Sequence, residues 1–175
     1  MLSHPMSRRA FGIGAGGAGL SLLAARPALA ALAAPTERPI LTISGKIRNF
    51  NAGETAQFDR PMLEALGMTG FETATPWYNA VAKFEGPLMT AVMAAVDAYG
   101  DSVVATALND YSTTIPLSDF AQFKPILALK RDGVYMPVRD KGPLFVIYPF
   151  DSNPELKQQK YYGRSAWQVA SFTVK

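Results

Sequence analysis

Arg139-Asp140-Lys141-Gly142-Pro143 places two cations and a glycine directly before a strand-like run. Such a loop could offer a Lys ammonium and backbone N–H groups to an anionic ligand. The competing reading is a solvated loop in which Arg139 and Asp140 pair with each other. A second polar cluster, Asn109-Asp110-Tyr111-Ser112, follows an apolar run, a common position for site residues. There Asp110 and Tyr111 could order a ligand or a water; the plainer alternative is a polar turn closing a strand. Trp77 and Tyr78, after Pro76, either wall a pocket or pack in the core with a polar tip outward. Arg164, after Tyr161-Tyr162-Gly163, either pairs with an anion or stacks on the tyrosines. Glu54, Asp59 and Glu64 lack ligand-like spacing, and Met62, Met68, Met89 and Met93 read as core filling, so no metal is assigned.

What the chain lacks narrows the chemistry further. It has no cysteine, and its one histidine is His4, inside an N-terminal segment that reads as a removable export signal. A mature chain without either residue has no thiolate nucleophile, no Ser–His–Asp triad and no Cys/His metal site. Catalysis, if any, falls to carboxylates, Lys, Arg, Tyr, hydroxyls, backbone dipoles or a cofactor, and no catalytic residue is assigned.

The signal expectation rests on Ser7-Arg8-Arg9-Ala10-Phe11, an apolar Gly/Ala/Leu run from Ile13 to Ala25, and Ala28-Leu29-Ala30 as a cleavage site. The Arg pair with its flanks matches twin-arginine export, which puts residues 31–175 in the periplasm. Ala31-Leu32-Ala33 would also serve as a cleavage site. The alternative, a membrane anchor, is disfavoured by Gly14, Gly16, Gly17 and Gly19 and by the shortness of the run. Losing residues 1–30 removes Arg8, Arg9 and Arg26 and no acid, so 14 basic residues then face 14 acidic ones. With a formal net charge of zero, no electrostatic case for nucleic acid or an anionic membrane survives, and no stable membrane span is expected after cleavage.

Positioning these residues falls to one domain over 40–175, preceded by an Ala/Pro linker at 31–39 that is expected to be flexible. Strands are expected at Ile40–Ile47, Ala56–Phe58, Phe71–Thr75, Ser102–Leu108, Leu144–Tyr148 and Ala166–Val174. The Ser102–Leu108 run is continuously apolar and is expected to be buried on both faces. Asp59 is expected to cap a short helix ended by Gly67, and Ser118 another before Phe120 and Phe123. The clearest helix spans about 87–98, and Arg131-Asp132-Gly133 is expected to turn a hairpin. The result is an α+β fold, with a mixed, mainly antiparallel sheet system and few helices.

Three stretches, in order, carry a family resemblance over residues 40–175. Phe84-Glu85-Gly86-Pro87-Leu88 resembles a W-x-G-x-P-L lead-in to a helix. Asp140-Lys141-Gly142-Pro143-Leu144-Phe145-Val146-Ile147-Tyr148-Pro149 resembles H-G-x-P-L-R-x-V-x-P. Gly163-Arg164-Ser165-Ala166-Trp167-Gln168-Val169 resembles a K-x-x-K-W-hydrophobic stretch. Together they look like the sulfite-oxidase-type molybdopterin-binding domain, in its small exported bacterial variety. The resemblance implies that fold, and a cofactor cleft drawing on Thr73, Asn109, Asp110, Arg139, Lys141, Gly142 and Arg164, with a pterin phosphate as one anion for the 139–143 loop.

The departures from the family decide its meaning. Active members hold molybdenum through a cysteine a few residues before a tryptophan; setting Trp77 on that tryptophan puts Thr73 at the ligand position. Threonine supplies no soft thiolate, and Asp140 and Lys141 stand where the family has its histidine. The leading expectation is therefore a periplasmic, non-metal binding or sensory-accessory module with no cofactor. Its partner would be an anionic small molecule or a periplasmic or membrane protein. The alternative is an oxidoreductase that binds molybdopterin without a protein thiolate, and a third is a purely structural partner subunit.

Overall fold

Alternation of apolar residues sets the largest sheet. In β1 (Leu41–Gly45) Leu41 and Ile43 are buried, and in β11 (Val169–Val174) so are Val169, Phe172 and Val174. These two strands run parallel at the centre of a five-stranded sheet ordered β2-β1-β11-β5-β6, whose remaining pairs are antiparallel. The computed structural model that gives this arrangement describes Met1 and residues 31–175. The expected export signal lies outside the described residues. β2 covers Ala56–Phe58, β5 Ser102–Ala107 and β6 Ser112–Pro116.

A four-stranded antiparallel sheet, β3-β4-β8-β9, comprises Met68–Thr75, Tyr78–Pro87, Lys130–Arg131 and Val134–Tyr135. A third, two-stranded sheet pairs β7 (Ile126–Ala128) with β10 (Phe145–Ile147), and all six of those residues are buried. The helices among the described residues are short: α1 (Arg60–Ala65), α2 (Met89–Ala95), α3 (Leu117–Phe123) and α4 (Gln159–Arg164). The class is thus α+β, with few helices and mainly antiparallel sheets. Among the described residues no helix is long and apolar enough to cross a membrane.

Several local expectations change. Residues 78–87 form the longest strand, β4, so the helix expected from about 87 begins only at Met89 and ends at Ala95. β5 is not buried on both faces: Val103, Ala105 and Ala107 face the core while Ser102, Val104 and Thr106 are half-buried. Its neighbours β11 and β6 satisfy its edges, and packing covers one face fully. Ser118 lies inside α3, whose N-cap is Pro116. The 31–39 segment is tied to the domain, with the Thr36 and Glu37 backbone N–H groups donating to Asp59 Oδ2 at 2.7 and 2.8 Å.

Candidate aromatic cleft

Four turns and ends of elements, far apart in sequence, converge on a cavity of about 360 Å³. Thr75 pairs with Tyr78, which leaves Pro76 and Trp77 as the β3–β4 turn. The Trp77 ring is held by Phe145 (centroids 5.3 Å) and Phe150 (6.0 Å), so one side packs on the core while the other lines the cavity. The β5–β6 turn supplies Asn109 and Tyr111. Asn109 Oδ1 accepts the Tyr111 N–H at 3.2 Å, Asp110 is left-handed (φ 64°), and its N–H donates to the Ala107 carbonyl. α4 contributes Gln159, Tyr162 and Gly163 from one face, at the i, i+3, i+4 spacing. Trp167 closes the ring of walls, pairing through its backbone with Phe145. The Tyr111 hydroxyl donates across to the Gly163 carbonyl at 3.2 Å and joins two of these segments.

The 137–143 loop meets the cleft through Lys141, whose ammonium lies over the Trp167 ring; its residues are not part of the cavity lining, and its backbone is not arranged to hold an anion. The N–H groups of Asp140 and Gly142 both donate to the Pro137 carbonyl at 2.9 Å, and the Lys141 carbonyl accepts from Gln168. Gly142 is required there, because a Cβ would collide with the Met136 carbonyl. Asp140 does not pair with Arg139 as the solvated-loop reading had it. It takes two guanidinium N–H groups of Arg131, at 2.9 and 3.2 Å, and the Tyr78 hydroxyl at 3.1 Å. Arg139 is exposed and forms no ion pair among the described residues. Lys141 is left-handed (φ 64°), and its ammonium lies 4.9 Å from the Tyr78 ring centre and 5.6 Å from that of Trp167. No carboxylate pairs with it among the described residues.

Burial and the hydrogen bond to Asp140 push the Tyr78 phenol up to about 12, against the opposing pull of Arg131. A phenol raised in the fold contributes stability that is complete below its ordinary value near 10.0 and is lost as pH climbs through 12. Tyr78→Phe is therefore expected to flatten part of the loss of stability between those pH values. Urea midpoints measured at successive alkaline pH values check this; a variant curve parallel to wild type would contradict it.

Two expected ligand residues turn inward instead. Arg164 Nη1 contacts Asp119 Oδ2 at 2.7 Å, and the Tyr148 hydroxyl donates to the same oxygen at 2.8 Å. The guanidinium is thus committed to a buried carboxylate and not to the cleft. Thr73 is fully buried; its Oγ1 lies 3.3 Å from the Ala74 carbonyl and 3.4 Å from Asp151 Oδ2, and accepts the Asp151 N–H at 3.2 Å. It lies outside the cavity lining, and its donor is a hydroxyl already used in a turn. These residues do not fit a thiolate-held molybdenum centre. Among the described residues no His, Cys, Asp and Glu cluster could hold a metal ion.

Of the residues expected at a site, Asn109 lines the cleft, and Lys141 reaches the ring of one of its walls. Asp110 and Arg139 project to solvent nearby in sequence, while Gly142, Thr73 and Arg164 are structural. Sequence reasoning missed Gln159 and the grouping of Tyr162 with Trp77 and Trp167. The i, i+3, i+4 spacing of Gln159, Tyr162 and Gly163 becomes a signal only once the segment is known to be helical. No protein-family model matches this chain, and no curated protein matches it either.

Proposed function

We propose that this chain is a non-metal binding module, exported to the periplasm on a sulfite-oxidase-type scaffold, whose aromatic cleft takes a small molecule bearing an anionic group. The observation that supports it is Lys141. Arg131 and Arg164 are each held by a carboxylate, whereas the Lys141 ammonium rests on the Tyr78 and Trp167 rings and forms no ion pair among the described residues. That ammonium lies outside the cavity lining but over one of its walls, Trp167, so a ligand in the cleft with an anionic group extending past that ring would meet it. The cavity volume is at the small end of the range for small-molecule sites.

The chain's two tryptophans, Trp77 and Trp167, both line the cleft, so the entire tryptophan emission reports on its occupancy. The test begins with protein exported through its own signal and purified from the periplasm. Small molecules released on denaturation are identified by mass spectrometry, then titrated back against tryptophan emission. Lys141→Met, which keeps the apolar stem and removes the charge, is expected to weaken binding by about tenfold or more. Unchanged affinity in that variant would sink the reading. So would molybdenum and pterin near one per chain, which would favour an oxidoreductase.

A further inference from the structure

The arrangement of rings in the cleft points beyond an anionic group, to the rest of the ligand, and this step rests on the cleft being a ligand site. Trp77 stands nearly perpendicular to two other walls: to Trp167 at 71° with centroids 5.5 Å apart, and to Tyr162 at 82° and 6.1 Å. All three rings border the same cavity. We infer that this aromatic corner receives the methylated onium group of a small zwitterion, whose carboxylate is taken by Lys141.

The chemistry discriminates among cations. A quaternary ammonium spreads its charge over methyl groups that can each lie on a ring face, and it loses no hydrogen bonds on leaving water. A primary ammonium would need acceptors in exchange for its water. Among the described residues the cavity lining contains no Asp or Glu; the acceptors it does offer are neutral, such as the Gln159 amide, and the Asn109 side-chain oxygen already accepts from Tyr111. With rings on three sides and no carboxylate in the lining, the corner favours an onium that needs no acceptors over a primary ammonium. Lys141 selects a second feature: a lone onium would meet a positive neighbour, whereas a zwitterion brings a carboxylate to it. That Lys141 already lies on the Trp167 ring indicates that this wall accepts positive charge.

The experiment titrates the purified exported protein with glycine betaine, glycine, tetramethylammonium and tert-butylacetate, following tryptophan emission. tert-Butylacetate has the shape and the carboxylate of glycine betaine without its positive charge. Saturable binding of glycine betaine is expected, with each of the other three weaker by about tenfold or more. Trp167→Leu should abolish the preference for glycine betaine over tert-butylacetate, and Trp167→Phe should retain most of it; Trp77 still reports in both variants. Equal binding of tert-butylacetate and glycine betaine would overturn the onium assignment while leaving the anion-binding reading intact. Binding of the ligand recovered from the periplasm with no response to glycine betaine would do the same. Tetramethylammonium binding as tightly as glycine betaine would remove the role given to Lys141.

Discussion

Replacing Asp119 with alanine is expected to cost about 3–5 kcal/mol of folding stability, the usual scale for removing one partner of a buried ion pair. Asp119 is 5% exposed, and one of its oxygens serves both Arg164 and the fully buried Tyr148. Without it, a largely buried guanidinium has no counter-charge, and the Tyr148 hydroxyl has no acceptor. In the wild-type protein burial and the bond to Asp119 hold the Tyr148 phenol far above its ordinary value, so it stands there as a neutral donor. Asp119→Asn should cost less, since an amide oxygen still serves Tyr148. The double variant Asp119→Leu/Arg164→Met should recover much of the loss, because an apolar pair carries no desolvation penalty. Urea unfolding of the four proteins checks this; a loss below about 1 kcal/mol for the alanine variant would mean that water already screens the pair. The effect should reach the cleft, because Arg164 ends the helix that carries Gln159 and Tyr162.

Local chemistry was legible in the sequence where one residue type dictates the backbone. Asp132-Gly133 turns the β8–β9 hairpin with both residues left-handed (φ 51° and 79°), as an Asp-Gly pair favours. Asp59 caps α1, with Pro61 in its first turn. β4 was hidden because Asn79, Ala80, Ala82 and Gly86 have little intrinsic strand preference. Its pairing with β3 on one side and β8 on the other supplies what propensity does not. α4 was hidden for a similar reason: two tyrosines and a glycine in six residues are weak helix formers.

The cations of the candidate site were legible, but their assignments were not. Lys141, Arg139 and Arg164 look alike in sequence, and only tertiary contacts separate them. Arg164 finds its acid 45 positions away and lies over the Tyr161 ring, Asp140 is claimed by Arg131, Arg139 is exposed, and Lys141 rests on the Tyr78 and Trp167 rings. The cleft itself leaves no local mark, since its walls at 77, 109, 162 and 167 meet only once three separate turns and a helix are in place.

A second large loss is expected for Asp59→Ala, about 3 kcal/mol, because this carboxylate organises two segments at once. It is fully buried; Oδ1 accepts the Met62 N–H at 2.9 Å as the N-cap of α1, while Oδ2 accepts the N–H groups of Thr36 and Glu37 and lies 3.2 Å from the Thr36 hydroxyl. Capping alone is worth about 1 kcal/mol. Hydrogen bonds to a charged group are each worth more, offset here by water reaching the exposed Thr36 and Glu37 once they are released. Burial pushes the carboxyl up, but the N–H groups of Glu37, Met62 and Thr36 together outweigh it and hold the group below its ordinary 3.8. A carboxylate lowered in the fold contributes stability above its unfolded value and loses it as pH falls through the folded one. The gap between wild type and Asp59→Ala should therefore be full at neutral pH and narrow below 3.8. Asp59→Asn should fall between them, since one amide oxygen can serve either the helix or the 36–37 segment but not both. Hydrogen exchange at the Thr36 and Glu37 amides separates those choices. Protection retained at both in Asp59→Ala would show that the segment is held by something other than this side chain.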